Sequence, residues 1–344
     1  MAATSAWTVF LVLLVLLTGR WWPWYVVEIV PPLALAAVPL LLLVLAPLAR
    51  PVRGRLCAAL LAPLVVGACL AGYGPGWGTA TASARGTPIK VFAWNTDHWQ
   101  MSDDKDAFYA FLRRQDADVY LLQEYLYTRG EKPVRIDDSA RLHAEFPGYR
   151  LLVQGELITL SRLPVVAAPR PKTPGGGDWY WHARKFQRTD VRAGGRTVSL
   201  YNVHLPVPFH LGNPVKADTY RFLRRRGIWW NGELDALRED VAADPHPALL
   251  AGDFNSPWMR LTSWGGDVRL HSPAGSWLPA RSWPADGGLL PRLWRLDWLF
   301  TTHDLTVSRY RFGGGSDFSD HAAQEIRVVV PDTAPSGDPG GRAP

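Results

Sequence analysis

Cysteine is nearly absent from this 344-residue chain: it has only Cys57 and Cys69, both inside apolar runs of the first quarter. A disulfide framework and thiol chemistry are therefore excluded from everything after residue 77. Acidic side chains are missing from the same first quarter. Residues 1–77 hold Glu28 as their single acid, against Arg20, Arg50, Arg53 and Arg55. The remainder carries thirty-three basic and thirty acidic residues, a net charge of only about +3, despite a whole-chain pI near 9.4. A duplex-binding surface needs a clear basic excess, and this balance supplies little of one.

The charge-poor quarter contains three apolar stretches, over about 6–19, 26–48 and 56–72. The second is long enough to cross a bilayer alone and the others lie near the lower limit. Trp21, Trp22, Trp24 and Tyr25 suit an interfacial aromatic belt, and the basic loop 50–55 is predicted to stay cytoplasmic. Three spans then place the N-terminus inside and the large domain outside. A two-span arrangement would leave that domain in the cytoplasm; Pro31 and Pro32 leave the start of the second span open. A cleaved signal peptide is a weaker alternative, because no basic n-region or small-residue cleavage site is present. The expected organisation is a membrane anchor over 1–77, a linker over 78–88, one domain over 89–330 and a disordered tail over 331–344.

Within the domain, short β-rich runs at 89–94, 119–123, 157–160, 197–203, 248–251, 296–300 and 326–330 alternate with helical patterns at 105–115 and 216–243. That alternation predicts a single α/β or α+β domain. Polar residues cluster at the ends of these runs: Asn95-Thr96-Asp97, Gln123-Glu124, Asn202-Val203-His204, Gly252-Asp253-Phe254-Asn255 and Ser319-Asp320-His321, with Asp297 inside Arg295-Leu296-Asp297-Trp298. Taken singly, each is an ordinary turn or helix-cap residue.

Together, in this order and spacing, they resemble the endonuclease/exonuclease/phosphatase superfamily, with LLQE, GDFN, RLDWLF and SDH as the strongest matches. The resemblance covers about 88–330. It implies an α+β fold, a four-layer α/β/β/α sandwich of DNase I type, here preceded by N-terminal transmembrane helices. It further implies a Mg²⁺-dependent phosphoesterase, with Mn²⁺ as the alternative ion. Glu124 would be the main metal ligand, with Asn95 and Asp320 beside it and Asp97 as a further ligand. Asp253 would activate the attacking water and Asn255 would orient the phosphate. His204 and His321 would face phosphate oxygens or move protons, and Asp297 would support His321. This distribution suits the chemistry, because Mg²⁺ takes one or two carboxylates and leaves positions for water and substrate oxygens.

Two residues depart from the family pattern. In the run 155–162, Ser161 and Arg162 match the family's Gly-x-Ala-Ile-Leu-Ser-Arg but Glu156 is unusual, and reads as an exposed strand charge; His98 follows Asp97 directly and reads as a loop residue or a substrate contact. The substrate class stays open. An anchored site meets lipid headgroups at high effective concentration, and Trp94, Trp99, Trp179, Trp181, Trp229, Trp230 and Trp258 would line an apolar cleft or a membrane-facing rim, or else lie in the core or scattered over the surface. Bacterial membrane proteins of this superfamily, among them a teicoplanin-resistance branch of actinomycetes, share the layout and imply a lipid-linked cell-envelope phosphate or pyrophosphate. The alternatives are an extracytoplasmic nuclease using Arg221, Arg224, Arg225 and Arg226, a sphingomyelinase-like phospholipase C, and a non-catalytic membrane scaffold.

Overall fold

The computed structural model describes residues 2–73, 85–99, 104–130, 132–173, 178–208, 212, 213, 215–273, 279–286, 291–302 and 304–332. The apolar quarter forms helices α1 (Ala2–Leu17), α2 (Tyr25–Glu28), α3 (Ala34–Leu45) and α4 (Arg53–Ala71). Among the described residues one helix, Arg50–Ala71 with its leading turn, is long and apolar enough to cross a membrane, at 22 residues. The expectation that 26–48 spans alone is corrected. Helix is interrupted between Ile29 and Leu33, where Pro31 and Pro32 remove backbone donors and disfavour helix in the residues before them. Nearly all of the outer face of this helical layer is apolar, with Val9, Val12, Leu16, Leu40, Leu41, Val44, Leu61 and Val65 exposed.

The apolar layer is seated on the rest of the chain. Trp258 and Trp294 donate their indole N–H groups to the carbonyls of Glu28 and Ile29, at 2.8 and 2.9 Å. Leu11, Leu14, Trp24, Leu35 and Trp258 form one buried cluster. The Tyr25 ring lies so close to Gly227 that a Cβ there would stand 2.1 Å from it.

Two six-stranded sheets follow. The first runs β13 (Thr306–Phe312), β14 (Gln324–Val330), β1 (Thr87–Asn95), β2 (Val119–Gln123), β6 (Leu157–Ser161) and β5 (Arg150–Gln154). The second runs β11 (Arg269–His271), β12 (Asp297–Thr301), β10 (Ala248–Asp253), β9 (Arg196–His204), β8 (Phe186–Ala193) and β7 (Val165–Ala167). A hairpin of β3 (Leu126–Arg129) and β4 (Lys132–Arg135) stands apart. Thr87 and Pro88, expected in the linker, belong to β1; the rest of the expected linker up to residue 84, and residues 333–344 of the expected tail, lie outside the described residues.

Strand alternation builds the layers, because successive side chains point to opposite faces. Ile89, Val91 and Ala93 of β1 pack between the sheets with Val198, Leu200, Leu249, Ala251 and Leu299. Phe92 and Trp94 point the other way, onto helices α5 (Lys105–Gln115) and α6 (Ser139–Glu145) through Phe108, Leu112 and Leu142. On the far side, Tyr201, Val203 and Leu250 meet Trp230, Leu234 and Leu237 of α7 (Ala217–Ala243). The order is helix, sheet, sheet, helix.

The same period of two fixes the site. Asn95, His204, Asp253 and Asp297 share parity with the inward rows of their strands, so they face the inter-sheet space at the strand ends. Register brings those ends together: Asn95 is opposite Gln123 in parallel β1 and β2, and Asp253 is opposite both His204 and Asp297.

Candidate active site

Four non-glycine residues at these strand ends adopt left-handed backbone: Asp97 (φ 47°), His98 (61°), Glu124 (61°) and Asn255 (50°). Such conformations cost about 1 kcal/mol or more each unless the surroundings impose them. At three of the four, side chains do so. Asn95 Oδ1 accepts from the Asp97 N–H at 3.1 Å, Glu124 Oε2 from the His98 N–H at 3.0 Å, and Asp253 Oδ1 from the Asn255 N–H at 2.8 Å. The Ser319–His321 turn is pinned to β1, with Ser319 Oγ donating to the Asn95 carbonyl (2.7 Å) and Trp94 Nε1 to the His321 carbonyl (2.9 Å).

All nine residues expected from the sequence converge. Asn95 Nδ2 bridges Glu124 Oε1 (3.0 Å) and Asp253 Oδ2 (3.1 Å). The Nε2 atoms of His204 and His321 stand 3.7 and 3.6 Å from that same Asp253 oxygen. Asp297 Oδ2 meets His321 Nδ1 at 2.9 Å. Asp320 accepts from the Trp283 indole at 2.6 Å and lies 3.9 Å from His321 Nε2. Asn255 Nδ2 donates to the Leu205 carbonyl at 2.8 Å.

The charges bear on one another. Burial disfavours the His204 cation, but Glu156, then Asp253 and Glu124, lift its pKa to about 9. His321 is raised well above the ordinary imidazole value against its burial, by Asp297 first and then Asp253. Burial pushes Asp253 up to about 6, with His321 opposing and Asp297 adding. Asp320 is also raised, by burial first; His321 and the Trp283 indole oppose, while Asp97 and Glu124 add to the rise.

Asp320 thus sits among acids that raise it, and such a group suits a bound cation. Asp97, His98 and Glu124 offer ligand atoms within 4.8 Å of one another, and Asp253, Asp297 and His321 form a second such group. Carboxylate oxygens of Glu124, Asp97 and Asp320 with the Asn95 amide oxygen are hard donors that fit a divalent cation. Asn95 Oδ1 already accepts from Asp97, so ligation would use its second lone pair.

Glu156 corrects the sequence reading. It is buried, 2% exposed, with Oε1 3.4 Å from His204 Nδ1 and in an ion pair with Lys185 Nζ. Burial pushes this carboxyl up, but Lys185 and then His204 outweigh it and hold it at about 2. Glu156 thus backs the His204 imidazole at Nδ1, while Asp253 faces its Nε2. His98 is no bystander either: its Nδ1 is 3.3 Å from Asp97 and its Nε2 3.6 Å from Glu124, and its pKa is raised, first by the Asp97 hydrogen bond. Sequence reasoning missed Lys185, Tyr180 and Trp283, which sit in segments with no signature. The departure at Glu156 was the one signal pointing to Lys185.

The tryptophans fall into two groups, one buried and one at the surface. Trp94, Trp99, Trp230 and Trp258 are core. Trp179, Tyr180, Trp181 and Trp229 form a continuous lip, ring to ring at 4.9–5.7 Å, and Lys185 Nζ sits 3.7 Å over Tyr180. Arg226 lies 5.3 Å from both Trp181 and Trp229. Arg221, Arg224 and Arg225 are solvated on α7.

The model of the endonuclease/exonuclease/phosphatase family matches residues 92–321, which include every site residue named above. The chain belongs to the endonuclease/exonuclease/phosphatase family. Members of this family are phosphoester hydrolases that use divalent metal ions. A curated relative in this sense is the inositol phosphosphingolipids phospholipase C of Schizosaccharomyces pombe, 29% identical over 167 residues, covering 45% of this chain and 38% of that protein. The chain thus spans well under half the length of the curated relative it matches. Among solved structures, a humanized TDP2 of D. rerio carrying 14 mutations superposes with a TM-score of 0.50 at 14% identity, over 71% of this chain and 99% of that one. An endonuclease/exonuclease/phosphatase from Beutenbergia cavernae matches with a TM-score of 0.49 at 18% identity, over 71% and 72%. At 14% identity the likeness to TDP2 speaks to the fold alone.

Proposed function

We propose that this family member is a membrane-anchored, Mg²⁺-dependent hydrolase of a lipid-borne phosphodiester or pyrophosphate. The observation that carries the reading is the meeting of two imidazoles on one buried carboxylate: His204 and His321 both face Asp253 Oδ2, beside the acidic group of Glu124. Glu124, Asp320, Asn95 and Asp97 would hold the ion, which when bound would polarise a phosphoryl oxygen and screen the charge of the transition state. Asp253, with its pKa at about 6, takes a proton from the attacking water. The water oxygen bonds to phosphorus, the bond to the leaving oxygen breaks, and an imidazolium returns a proton to that oxygen. His321, held in one tautomer by Asp297, and His204, backed by Glu156, are the cations facing the phosphate. Asn255 orients it.

Lipid is favoured over nucleic acid by two observations. The exposed helical faces of the first quarter are apolar, as a bilayer-contacting surface requires, and the lip beside Lys185 is aromatic rather than lysine-rich. The related yeast phospholipase C bears the name of a sphingolipid phosphodiester substrate. A lipid-linked cell-envelope phosphate, with the domain outside the cytoplasmic membrane and a role in glycopeptide resistance, extends the same reading. The test is a substrate screen of the full chain with undecaprenyl pyrophosphate, phospholipid and DNA, each in Mg²⁺ and in EDTA. Metal-dependent release of phosphate or headgroup from a lipid supports it; turnover of DNA alone replaces it with a nuclease.

A further inference from the structure

Between the apolar segment and the catalytic domain lies a cleft that the reaction does not use. Pro32, Leu33, Leu70 and Ala71 form one wall, at the end of α4 and the start of α3; Arg260, Arg281 and Arg295 form the other. Arg260 and Arg295 share a single acceptor, Ser272 Oγ, at 2.9 and 3.3 Å, which holds two guanidinium groups within a few ångströms. Arg281 donates to the Arg292 carbonyl at 3.2 Å. Among the described residues none of the three is ion-paired with a carboxylate, but Arg295 is buried, donates to the carbonyls of Asp297 (3.2 Å) and His271 (2.8 Å) and lies 4.0 Å over the Trp298 ring, so Arg260 and Arg281 are the two that would meet a ligand. The neighbouring stretches 274–278 and 287–290 contain no acidic residue in the sequence.

Burial and the neighbouring Arg295 both disfavour the Arg260 cation, a cost that an anion beside Arg260 and Arg281 would relieve. The effect reaches their surroundings. His271 is held down to about 4, by burial first and then by Arg269 and Arg295. Arginine's planar fork matches a tetrahedral oxyanion bidentately. The wall opposite is apolar and belongs to helix ends that the membrane reading puts at headgroup depth, with Trp21 and Trp22 next in the chain to α1.

We infer that this cleft binds a phosphate oxyanion, in the form of the headgroup of an anionic membrane lipid, and that the bound lipid fastens the catalytic domain to its helical segment. The choice of a lipid source rests on the membrane reading; the oxyanion site does not, and neither depends on hydrolytic activity. The experiment is thermal unfolding of the full chain in neutral detergent with phosphatidylglycerol, with phosphatidylcholine, or with inorganic phosphate. The proteins are the wild type, Arg260→Gln, Arg281→Gln and, as a control, Arg192→Gln, an exposed arginine that lines no part of the cleft. A ligand at saturating concentration should raise the wild-type Tm by about 4 °C. Phosphatidylglycerol is expected to do so, phosphatidylcholine not, with the shift lost in both cleft variants and kept in the control. An equal shift with inorganic phosphate, lost in the same variants, upholds the oxyanion site and overturns its lipid occupant. No shift with either anion, or the same shift in wild type and cleft variants, overturns the inference.

Discussion

Glu156 shows how one side chain can be legible as an anomaly yet illegible as a role. Its identity is unusual for the motif it sits in, but the two groups that explain it, Lys185 and His204, are 29 and 48 positions away and meet it only through β8 and β9. The pair has a signature in stability. Glu156 falls from 4.5 to about 2 on folding, so its contribution is complete above pH 4.5 and is lost as pH drops through 2. His204 rises from 6.5 to about 9, so its contribution is complete below pH 6.5 and is lost as pH climbs through 9. The metal-free protein should therefore draw most from this pair between pH 4.5 and 6.5. Glu156→Gln should lower stability there by about 3 kcal/mol, because Lys185 is left buried and unpaired, and should flatten both edges of the profile. Urea midpoints across pH in EDTA check this; a difference from wild type that does not vary with pH would contradict it. By contrast, the acid of the GDFN run was readable, since it ends a strand whose alternation fixes the direction it faces, and the SDH run, a turn just before β14, was readable from its motif alone.

Elements succeeded or failed as sequence signals according to whether their pattern was self-contained. The fully buried β2 and the amphipathic α5 were predicted to the residue, while β8, whose Arg188 pairs with Asp190 and with Asp244 at the end of α7, carries charges that hide its strand character. Proline decided the correction in the apolar quarter: hydropathy alone joins 26–48, and backbone chemistry divides it. Close backbone approaches are likewise invisible before folding. Gly252, with φ at +142°, lets β10 come so near β9 that an added Cβ would stand 2.0 Å from the Val203 carbonyl oxygen. Gly252→Ala should destabilise the domain by about 3 kcal/mol and separate Asp253 from His204, lowering turnover more than a mutation of equal cost far from the site. Parallel denaturation and rate measurements decide; full activity in a destabilised variant would show that strand spacing here does not set the site. At α7, Gly227→Leu should release the Tyr25 contact, exposing the 20–30 segment to limited proteolysis with the catalytic rate on a soluble diester unchanged. Unaltered cleavage would mean that the segment is held without this contact.

For the whole molecule, the sandwich and the convergence of its strand ends follow from short-range rules, whereas the seating of the apolar layer depends on Trp258 and Trp294 reaching carbonyls more than two hundred residues earlier. Orientation across a membrane is a separate property of the chain. Alkaline phosphatase fused after Pro344 should be active and a fluorescent protein at the same place dark if the domain lies outside; the reverse pattern would place it in the cytoplasm. The central claim is that acids, amides and imidazoles from six strand ends and turns serve one divalent cation in phosphoester hydrolysis. Its most direct test is the rate of bis(p-nitrophenyl) phosphate hydrolysis by the full chain in Mg²⁺, in EDTA and after Mg²⁺ is restored, for wild type and for Glu124→Gln. The account predicts activity that vanishes in EDTA, returns with Mg²⁺ and falls by about a thousandfold in Glu124→Gln. Hydrolysis that persists in EDTA, or a Glu124→Gln protein as active as wild type, would contradict it.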